Sequence, residues 1–326
     1  MRRREFVAQL ASATLAWPLA ARAQRTIPFI GFLNSGSPNE RAHLVEAFRQ
    51  GLKEGGYVDG KDVAIEYRWA EGSYERLTGL AKELVDRKVA VIVATGGNLP
   101  ALAAKSATST IPIVFTGGSD PVKLGLVASL SRPGGNVTGI ANISASLQTK
   151  RLQILRELVP GATKIAYLVN PKSADAGSSV KDVKAAAAAM GTKVQVLNAS
   201  SESEIDAGFT SIKKIQANAL LVAADPFFLS RRDQIVALAA GLRIPACYSF
   251  REYSAAGGLM SYGTGIAEGY RQAGIYAARI LKGAKPADLP VIQLTKFELI
   301  VNLKTAKKLG LAISRDFLAR VDEVIQ

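Results

Sequence analysis

Three loops rich in glycine and small polar residues could hold a negatively charged ligand, and each follows a predicted buried strand. Before a helix, such a loop presents backbone N–H groups at the positive end of the helix dipole, which stabilises a carboxylate or a phosphate. Asn98 and Asp120 are predicted to cap two of these helices, and Ser37 with Glu40 to form a capping box. Three such loops at one sheet edge favour a pocket over isolated caps. The loops are Asn34-Ser35-Gly36-Ser37, Thr95-Gly96-Gly97-Asn98 and Thr116-Gly117-Gly118-Ser119-Asp120-Pro121.

Three further loops in the second half of the chain carry charged and aromatic side chains. Capping boxes at residues 179–182 and 230–233 are predicted to start the helices, which leaves the two preceding segments in loops. Phe227 and Phe228 are adjacent, so they are expected to form an exposed aromatic pair beside Asp225 that grips an apolar body with a cationic group. The alternative, that both rings pack beneath the loop, stays open. The loops are Asn170-Pro171-Lys172-Ser173, Asp225-Pro226-Phe227-Phe228 and Phe250-Arg251-Glu252.

The motifs expected of most enzyme classes are absent from this sequence. The one histidine, His43, is predicted on a helix in a surface or packing role, and no Cys/His cluster suits a metal. Neither a G-x-S-x-G elbow nor a phosphate-binding P-loop occurs. Gly263-Thr264-Gly265 with Gly269 resembles a dinucleotide loop, but its spacing is off by one and no acid follows at the required distance. The sequence therefore predicts no catalytic set, no metal and no cofactor.

Apolar strands alternate with helices along the chain, which is typical of a parallel sheet built from βαβ units. The two halves resemble each other: IPFIGFLNSGS is echoed by TKIAYLVNPKS, and VAVIVATGGN by NALLVAADPF. The predicted fold class is α/β, with two similar doubly wound parallel-sheet lobes joined by interlobe crossovers. Strands are predicted at residues 28–34, 63–67, 89–95, 111–116, 164–170, 193–198, 219–224 and 244–250.

The length after the first residues suggests about two domains, and 48% hydrophobic residues are enough for two cores. The bend between the lobes is predicted near residues 131–136, a Pro- and Gly-rich loop signal. Beyond Gly257, too few strands remain for a third domain, so the chain is expected to return to each lobe. The predicted domains are residues 24–140 with 258–290, and residues 141–257 with 291–326.

Residues 1–23 are predicted to be a cleaved secretory signal. An Arg-rich start at residues 2–4 precedes an apolar stretch, and Ala21-Arg22-Ala23 is a small-x-small cleavage pattern. The start also suits a twin-arginine exporter. Cleavage would begin the product at Gln24, where no cysteine is present to carry lipid, so we expect a freely soluble periplasmic protein.

The net charge of +14 does not point to a nucleic-acid partner. Lys and Arg are scattered along predicted helices among Asp and Glu, and no basic run is interleaved with aromatic residues. Solvated helix faces are the interpretation that this pattern favours.

The sequence resembles the ABC-transporter substrate-binding proteins of the tryptophan/tyrosine-binding type. The resemblance covers the chain after residue 23 and rests on FRQGLKEGGYVDGKDVAIEYRWAEG, SDPVKLGLVASLSRPGGNVTGI and FELIVNLKTAKKLGL. It implies a type I periplasmic-binding-protein fold, whose two lobes close around a small solute, and a membrane permease as partner. It places ligand contacts in the loops at 95–98, 116–120, 170–173 and 225–228. Gly96-Gly97 and the 225–228 loop differ from the amino-acid binders' pattern, which allows a ligand other than tryptophan or tyrosine.

These observations predict a monomeric exported receptor that captures an amino acid or an aromatic or apolar organic acid and feeds an ABC importer without catalysis. The alternative is an exported α/β enzyme that uses Asp120 and Asp225 as acid and base. A third interpretation is a sensor that reports the ligand to a membrane partner.

Overall fold

The computed structural model describes residues 27–326, so the predicted signal segment lies outside the described residues. The first part of the chain alternates strands and helices regularly. Its elements are β1 (Phe29–Asn34), α1 (Pro38–Glu54), β2 (Ala64–Trp69), α2 (Leu77–Asp86), β3 (Val91–Thr95), α3 (Asn98–Ala107), β4 (Ile113–Gly117) and β5 (Val137–Ala141).

The second part repeats this alternation. Its elements are α4 (Gln148–Leu158), β6 (Lys164–Val169), α5 (Ala176–Ala189), β7 (Lys193–Asn198), α6 (Glu202–Ile215), β8 (Ala219–Val222), α7 (Pro226–Ser230), α8 (Arg232–Gly241), β9 (Ala246–Tyr248), α9 (Arg251–Ala255) and β10 (Met260–Thr264). The remaining elements are α10 (Ile266–Leu281), β11 (Ile292–Gln293), β12 (Phe297–Asn302), α11 (Leu303–Lys308), α12 (Arg315–Leu318) and β13 (Glu323–Ile325).

Two sheets organise these elements into two lobes. The first lobe has a six-stranded sheet in the order β2-β1-β3-β4-β5-β11, and the second has a seven-stranded sheet in the order β7-β6-β8-β9-β10-β12-β13. The first five strands of each sheet follow the same 2-1-3-4-5 order, which is the doubly wound arrangement expected from the internal repeat. All eight predicted strands are present, although β9 is shorter than predicted. Every residue of β3 and β4 is buried, because helices cover both faces of a parallel sheet.

The chain passes between the lobes three times: at residues 142–147, at Gly265 and at residues 294–296. The bend predicted at residues 131–136 instead lies within the first lobe, because β5, the next strand, pairs with β4. A Pro- and Gly-rich loop marks a turn but does not show which sheet the next strand joins. The range 258–290, assigned to the first lobe from the sequence, is divided, since β10 pairs with β9 and β12 of the second lobe. β11 likewise joins the first sheet beside β5.

Helix α10 returns to the first lobe and packs against α1 at very short range. A Cβ at Gly51 would lie 1.8 Å from the carbonyl oxygen of Arg271, and a Cβ at Gly274 would lie 2.2 Å from that of Phe48. The two glycines therefore permit a backbone approach that no other residue would allow. Within residues 27–326, no helix combines the length and apolar character needed to cross a membrane.

Candidate ligand-binding cleft

A cleft with about 700 Å³ of empty space, open to solvent, lies between the lobes at the carboxyl ends of the strands. This is the position at which open α/β sheets bind ligands. Seven of the sixteen residues predicted to contact ligand line the cleft, and nine do not. The seven are Gly96, Gly97, Asn98, Thr116, Gly118, Asp225 and Phe250.

Gly96 and Gly97 form one wall of the cleft in backbone conformations that favour glycine. Their φ angles are 80° and 103°. A Cβ at Gly96 would lie 2.7 Å from the Ser35 hydroxyl oxygen, and a Cβ at Gly97 would lie 2.8 Å from the Pro226 ring of the opposite lobe. The glycine pair thus lets the β1 loop and the second lobe approach the backbone closely.

Asn34 and Ser35 lie behind this wall rather than in the cleft. The amide nitrogen of Asn34 donates to the hydroxyl oxygens of Thr95 (2.8 Å) and Tyr270 (3.0 Å), and its oxygen accepts from the N–H of Gly36. The Ser35 hydroxyl donates to the Gly96 carbonyl. Both residues are fully buried, so their role is to hold the β3 loop in position.

Helix α3 points its N-terminus at the cleft, and Asn98 is its first residue instead of its cap. The N-cap is Gly97, which has no side chain to satisfy the first N–H groups. The Asn98 amide instead donates to the hydroxyl oxygen of Ser119 at 2.7 Å. Both Asn98 and Ser119 line the cleft, so this end of α3 can offer N–H and hydroxyl groups to a carboxylate.

Two predicted caps in the first lobe form different contacts. Ser37 is the N-cap of α1 with Pro38 next to it, but its side chain makes no capping bond. Asp120 begins no helix: its carboxylate accepts from the backbone N–H of Val122 (2.9 Å) and Lys123 (3.3 Å) in a turn. Asp120 is exposed and does not line the cleft, which separates it from Asp225.

Asp225 is the N-cap of the short helix α7 and lines the cleft while 1% exposed. Its Oδ1 accepts from the N–H groups of Phe227 (3.0 Å) and Phe228 (3.3 Å) and from the Asn170 amide (3.1 Å). The Tyr74 hydroxyl reaches Oδ2 at 3.2 Å. Burial raises the pKa of Asp225 to about 6, while these hydrogen bonds act in the opposite direction.

The prediction that Phe227 and Phe228 form an exposed aromatic pair is wrong. Phe227 and Phe228 are 6% and 0% exposed and belong to α7, so both rings pack inside the protein. The helices also begin earlier than the predicted capping boxes: α7 begins at Pro226, and α5 begins at Ala176 instead of near residue 179. Apolar burial on one helical turn outweighs the local capping pattern here.

Two residues that the sequence did not single out, Arg41 and Tyr74, line the cleft from the first lobe. Arg41 is 3% exposed, and its Nη2 donates across the cleft to the Pro226 carbonyl at 2.9 Å. Its Nε finds no hydrogen-bond partner among residues 27–326. Burial, followed by the nearby charge of Asp225, raises the pKa of Tyr74 well above its usual value, so the phenol stays a donor.

Ion pairs between the lobes lie around the rim of the cleft and include two of the predicted residues, Lys172 and Glu252. Lys172 contacts Glu75 at 2.5 Å, and His43 lies 3.7 Å from Glu252. Arg251 pairs with Glu323 within the second lobe at 2.7 Å, away from the cleft. The rim pairs, with the Arg41 and Tyr74 contacts, show that the lobes are closed on each other.

No ion pair joins Arg41 to Asp225 in the part of the chain that the structure describes. Arg41 instead bonds a carbonyl, and Asp225 accepts from uncharged groups. The cleft therefore presents two buried, opposite charges that remain available to a ligand.

The same part of the chain contains no group of three or more His, Cys, Asp or Glu residues arranged to hold a metal.

The family model for ABC transporter substrate binding protein matches residues 37–325. The chain belongs to this family. This substrate-binding protein is 29% identical over 266 residues to the tyrosine-binding protein of Clostridioides difficile, a match that covers 82% of this chain and 76% of that protein. The two lobes have the type I periplasmic-binding-protein fold, as predicted.

Two solved structures allow the lobe arrangement of this substrate-binding protein to be compared. An ABC domain of Streptococcus pneumonia in complex with L-Trp is similar at TM-score 0.82 and 27% identity, covering 91% of this chain and 99% of that one. The ligand-free, open structure of a substrate-binding protein with adhesive properties from Clostridium difficile has a TM-score of 0.64 at 26% identity, covering 92% and 100%. The TM-score is therefore higher for the L-Trp complex than for the open, ligand-free structure.

Proposed function

We propose that this substrate-binding protein captures an α-amino acid with an apolar body between its lobes and delivers it to the membrane permease of an ABC importer. The observation that carries the proposal is the pair of buried charges, Arg41 from the first lobe and Asp225 from the second, that line one cleft without pairing to each other. A buried charge is costly unless it is paired, and a zwitterion would pair both at once.

The carboxylate of the ligand fits the first lobe. In the described part of the chain, Nε of Arg41 has no hydrogen-bond partner and the N-terminus of α3 has no side-chain cap. Guanidinium groups and helix N-termini both stabilise carboxylates. Ser119 adds a hydroxyl group on the same side of the cleft.

The ammonium group of the ligand fits the second lobe. Oδ1 of Asp225 is crowded by two N–H groups and the Asn170 amide, whereas Oδ2 accepts from Tyr74 alone among the described residues. Oδ2 can therefore accept a charge-assisted hydrogen bond from an ammonium group. The apolar body would lie against Leu99, Leu229, Phe250 and Ile266, which line the same cleft. The similarity to a tyrosine-binding protein and to a structure in complex with L-Trp supports an amino-acid ligand.

Delivery requires that the protein leave the cytoplasm. Cleavage after Ala23 would place a monomer that starts at Gln24 in the periplasm, where the closed lobes could present their joint surface to the permease. Intact-mass measurement of periplasmic protein tests this step, since the mass should correspond to a chain starting at Gln24. Full-length chain retained in the cytoplasm would contradict it.

A thermal-shift panel of amino acids, aromatic acids, sugars and nucleotides tests the proposed ligand class. At least one amino acid should raise the melting temperature and be recovered unchanged after incubation. Stabilisation by sugars or nucleotides alone would overturn the proposal. Recovery of a chemically altered solute would favour the enzyme alternative, although Asp120 and Asp225 do not share one site.

A further inference from the structure

The first connection between the lobes contains a strained residue. Ile143, between Asn142 and Ser144, has a φ of 42°. A β-branched side chain rarely adopts this left-handed conformation. Four other non-glycine residues of the described chain have positive φ, and none of them is branched at Cβ: Glu71, Lys88, Gln216 and Arg243. Ile143 does not line the cleft, so ligand contact does not account for its conformation.

A buried arginine ties this connection to the second one. Arg151 of α4 is fully buried, and its Nη1 donates to the Ser144 carbonyl at 2.7 Å. Its Nε donates to the carbonyl of Tyr262 in β10 at 2.6 Å, just before the chain crosses at Gly265. The Thr264 hydroxyl also donates a hydrogen bond to the Asn142 carbonyl, at the longer distance of 3.4 Å. The two crossovers are therefore held side by side by hydrogen bonds to three backbone carbonyls.

Within residues 27–326, no carboxylate pairs with Arg151 to compensate its charge. Burial lowers its pKa to about 10, and the ionisable groups near it are the Cys247 thiol and the phenols of Tyr167 and Tyr262. Its Nη2 has no partner among residues 27–326. A buried guanidinium without an acid is costly, and the groups that offset this cost are the crossover carbonyls themselves.

We propose that Ile143 and Arg151 set the equilibrium between the open and closed lobes. The proposal rests on the proposed function, in which closing traps the solute. In the closed arrangement Ile143 is strained and Arg151 holds the crossovers in place, so strain opposes closing and the arginine favours it. The empty protein then favours the open state, and the ligand contacts with Arg41 and Asp225 supply the free energy that closing requires.

The two crossovers at residues 142–147 and Gly265 form the proposed hinge. The interlobe distance in the empty protein tests this hinge without any ligand. Fluorophores on Lys82→Cys in α2 and Lys184→Cys in α5 report the distance between the lobes, since both positions are exposed and Cys247 is buried. Ile143→Asn should shift the distribution towards the closed distance, because asparagine tolerates positive φ. Ile143→Val keeps the branched Cβ and is the matched control. Arg151→Met should shift the distribution towards the open distance.

Affinity for a solute found in the thermal-shift panel gives the second measurement. Ile143→Asn should bind roughly three- to tenfold more tightly than Ile143→Val, because less of the binding energy is used to close the lobes. Identical distance distributions for the Asn and Val variants would overturn the hinge proposal even if a solute binds. A shifted distribution with no amino acid bound would instead contradict the proposed function and leave the hinge intact. If Arg151→Met does not fold, the comparison of Ile143→Asn with Ile143→Val still tests the hinge proposal.

Discussion

The hydroxyl group of Tyr74 in the first lobe donates a hydrogen bond to the carboxylate of Asp225 in the second, with an O–O distance of 3.2 Å to Oδ2. Arg41 makes a second hydrogen bond in the same direction: it donates from the first lobe to the carbonyl of Pro226, the residue after Asp225. The groups that we expect to hold the ligand are therefore also the groups that join the lobes. Ligand binding and lobe closure should be coupled through these contacts.

Asp225→Asn should weaken ligand binding by about 1.5–3 kcal/mol, roughly ten- to a hundredfold, because an amide cannot replace a charge-assisted bond to an ammonium group. Asp120→Asn is the matched control, since Asp120 lies in an exposed turn outside the cleft. The control should leave affinity unchanged and cost up to about 1 kcal/mol of stability. Titration calorimetry and melting curves of both variants separate these effects. Equal affinity losses in the two variants would contradict the assigned roles.

The pH dependence of stability should report the buried Asp225. Its pKa is about 6 in the folded protein against an ordinary value of 3.8. The folded state therefore binds this proton more tightly than the unfolded state, and the stabilisation is present near pH 4 and lost as the pH rises to about 6. The difference in unfolding free energy between wild type and Asp225→Asn should fall by about 2 kcal/mol between pH 4.5 and pH 7. Urea unfolding at pH 4.5, 5.5 and 7 measures it, and a difference independent of pH would show that Asp225 titrates normally.

Ligand affinity should depend on pH in the opposite direction. An ammonium group binds the ionised carboxylate, so affinity should rise as the pH passes upward through about 6. In Asp225→Asn, this rise should disappear.

Gly97→Ala should impair closure more than folding. Gly97 has a φ of 103°, and an added Cβ would lie 2.8 Å from the Pro226 ring of the other lobe. Overpacking of this kind costs about 1–3 kcal/mol, which corresponds to a loss of affinity of roughly fivefold to a hundredfold. Gly125→Ala is the control, because Gly125 also has positive φ but has no atom within 4 Å of the added Cβ. Similar affinities for the two variants would mean that Gly97 does not contact the second lobe in the bound state.

The repeated strand pattern was enough to predict two doubly wound lobes, because buried parallel strands carry a strong local signal. The same repeat also explains β10: it occupies in the second sheet the place of β5 in the first. That correspondence assigns β10 to the second lobe, whereas the predicted range 258–290 placed it in the first.

The two Asp-Pro pairs show why the helix starts were harder to predict. Asp225-Pro226 begins α7, whereas Asp120-Pro121 begins only a turn. The dipeptides are identical, and the next two residues determine the difference: Phe227 and Phe228 can be buried by forming a helical turn, while Val122 and Lys123 stay exposed. Burial of this kind depends on the other lobe and is not visible locally.

Arg41 and Tyr74 were missed for separate reasons. Arg41 lies in a charged stretch typical of a solvated helix face, but its position in the first turn after β1 brings it to the sheet edge. Tyr74 lies in the loop after β2, a strand end that carries none of the predicted ligand contacts. The loops after the strands, taken with the first turn of each following helix, contain both residues.

Calorimetric titration with a matched set of three solutes tests the central claim most directly. The set is the best-stabilising amino acid, its analogue without the ammonium group and its carboxamide, each titrated into wild type, Asp225→Asn and Arg41→Met. The intact amino acid should bind wild type at one site, and each analogue about tenfold or more weakly. Loss of the ammonium group should matter little in Asp225→Asn, and loss of the carboxylate charge little in Arg41→Met. Equal binding of all three solutes to wild type would contradict a cleft that recognises both charges of an amino acid.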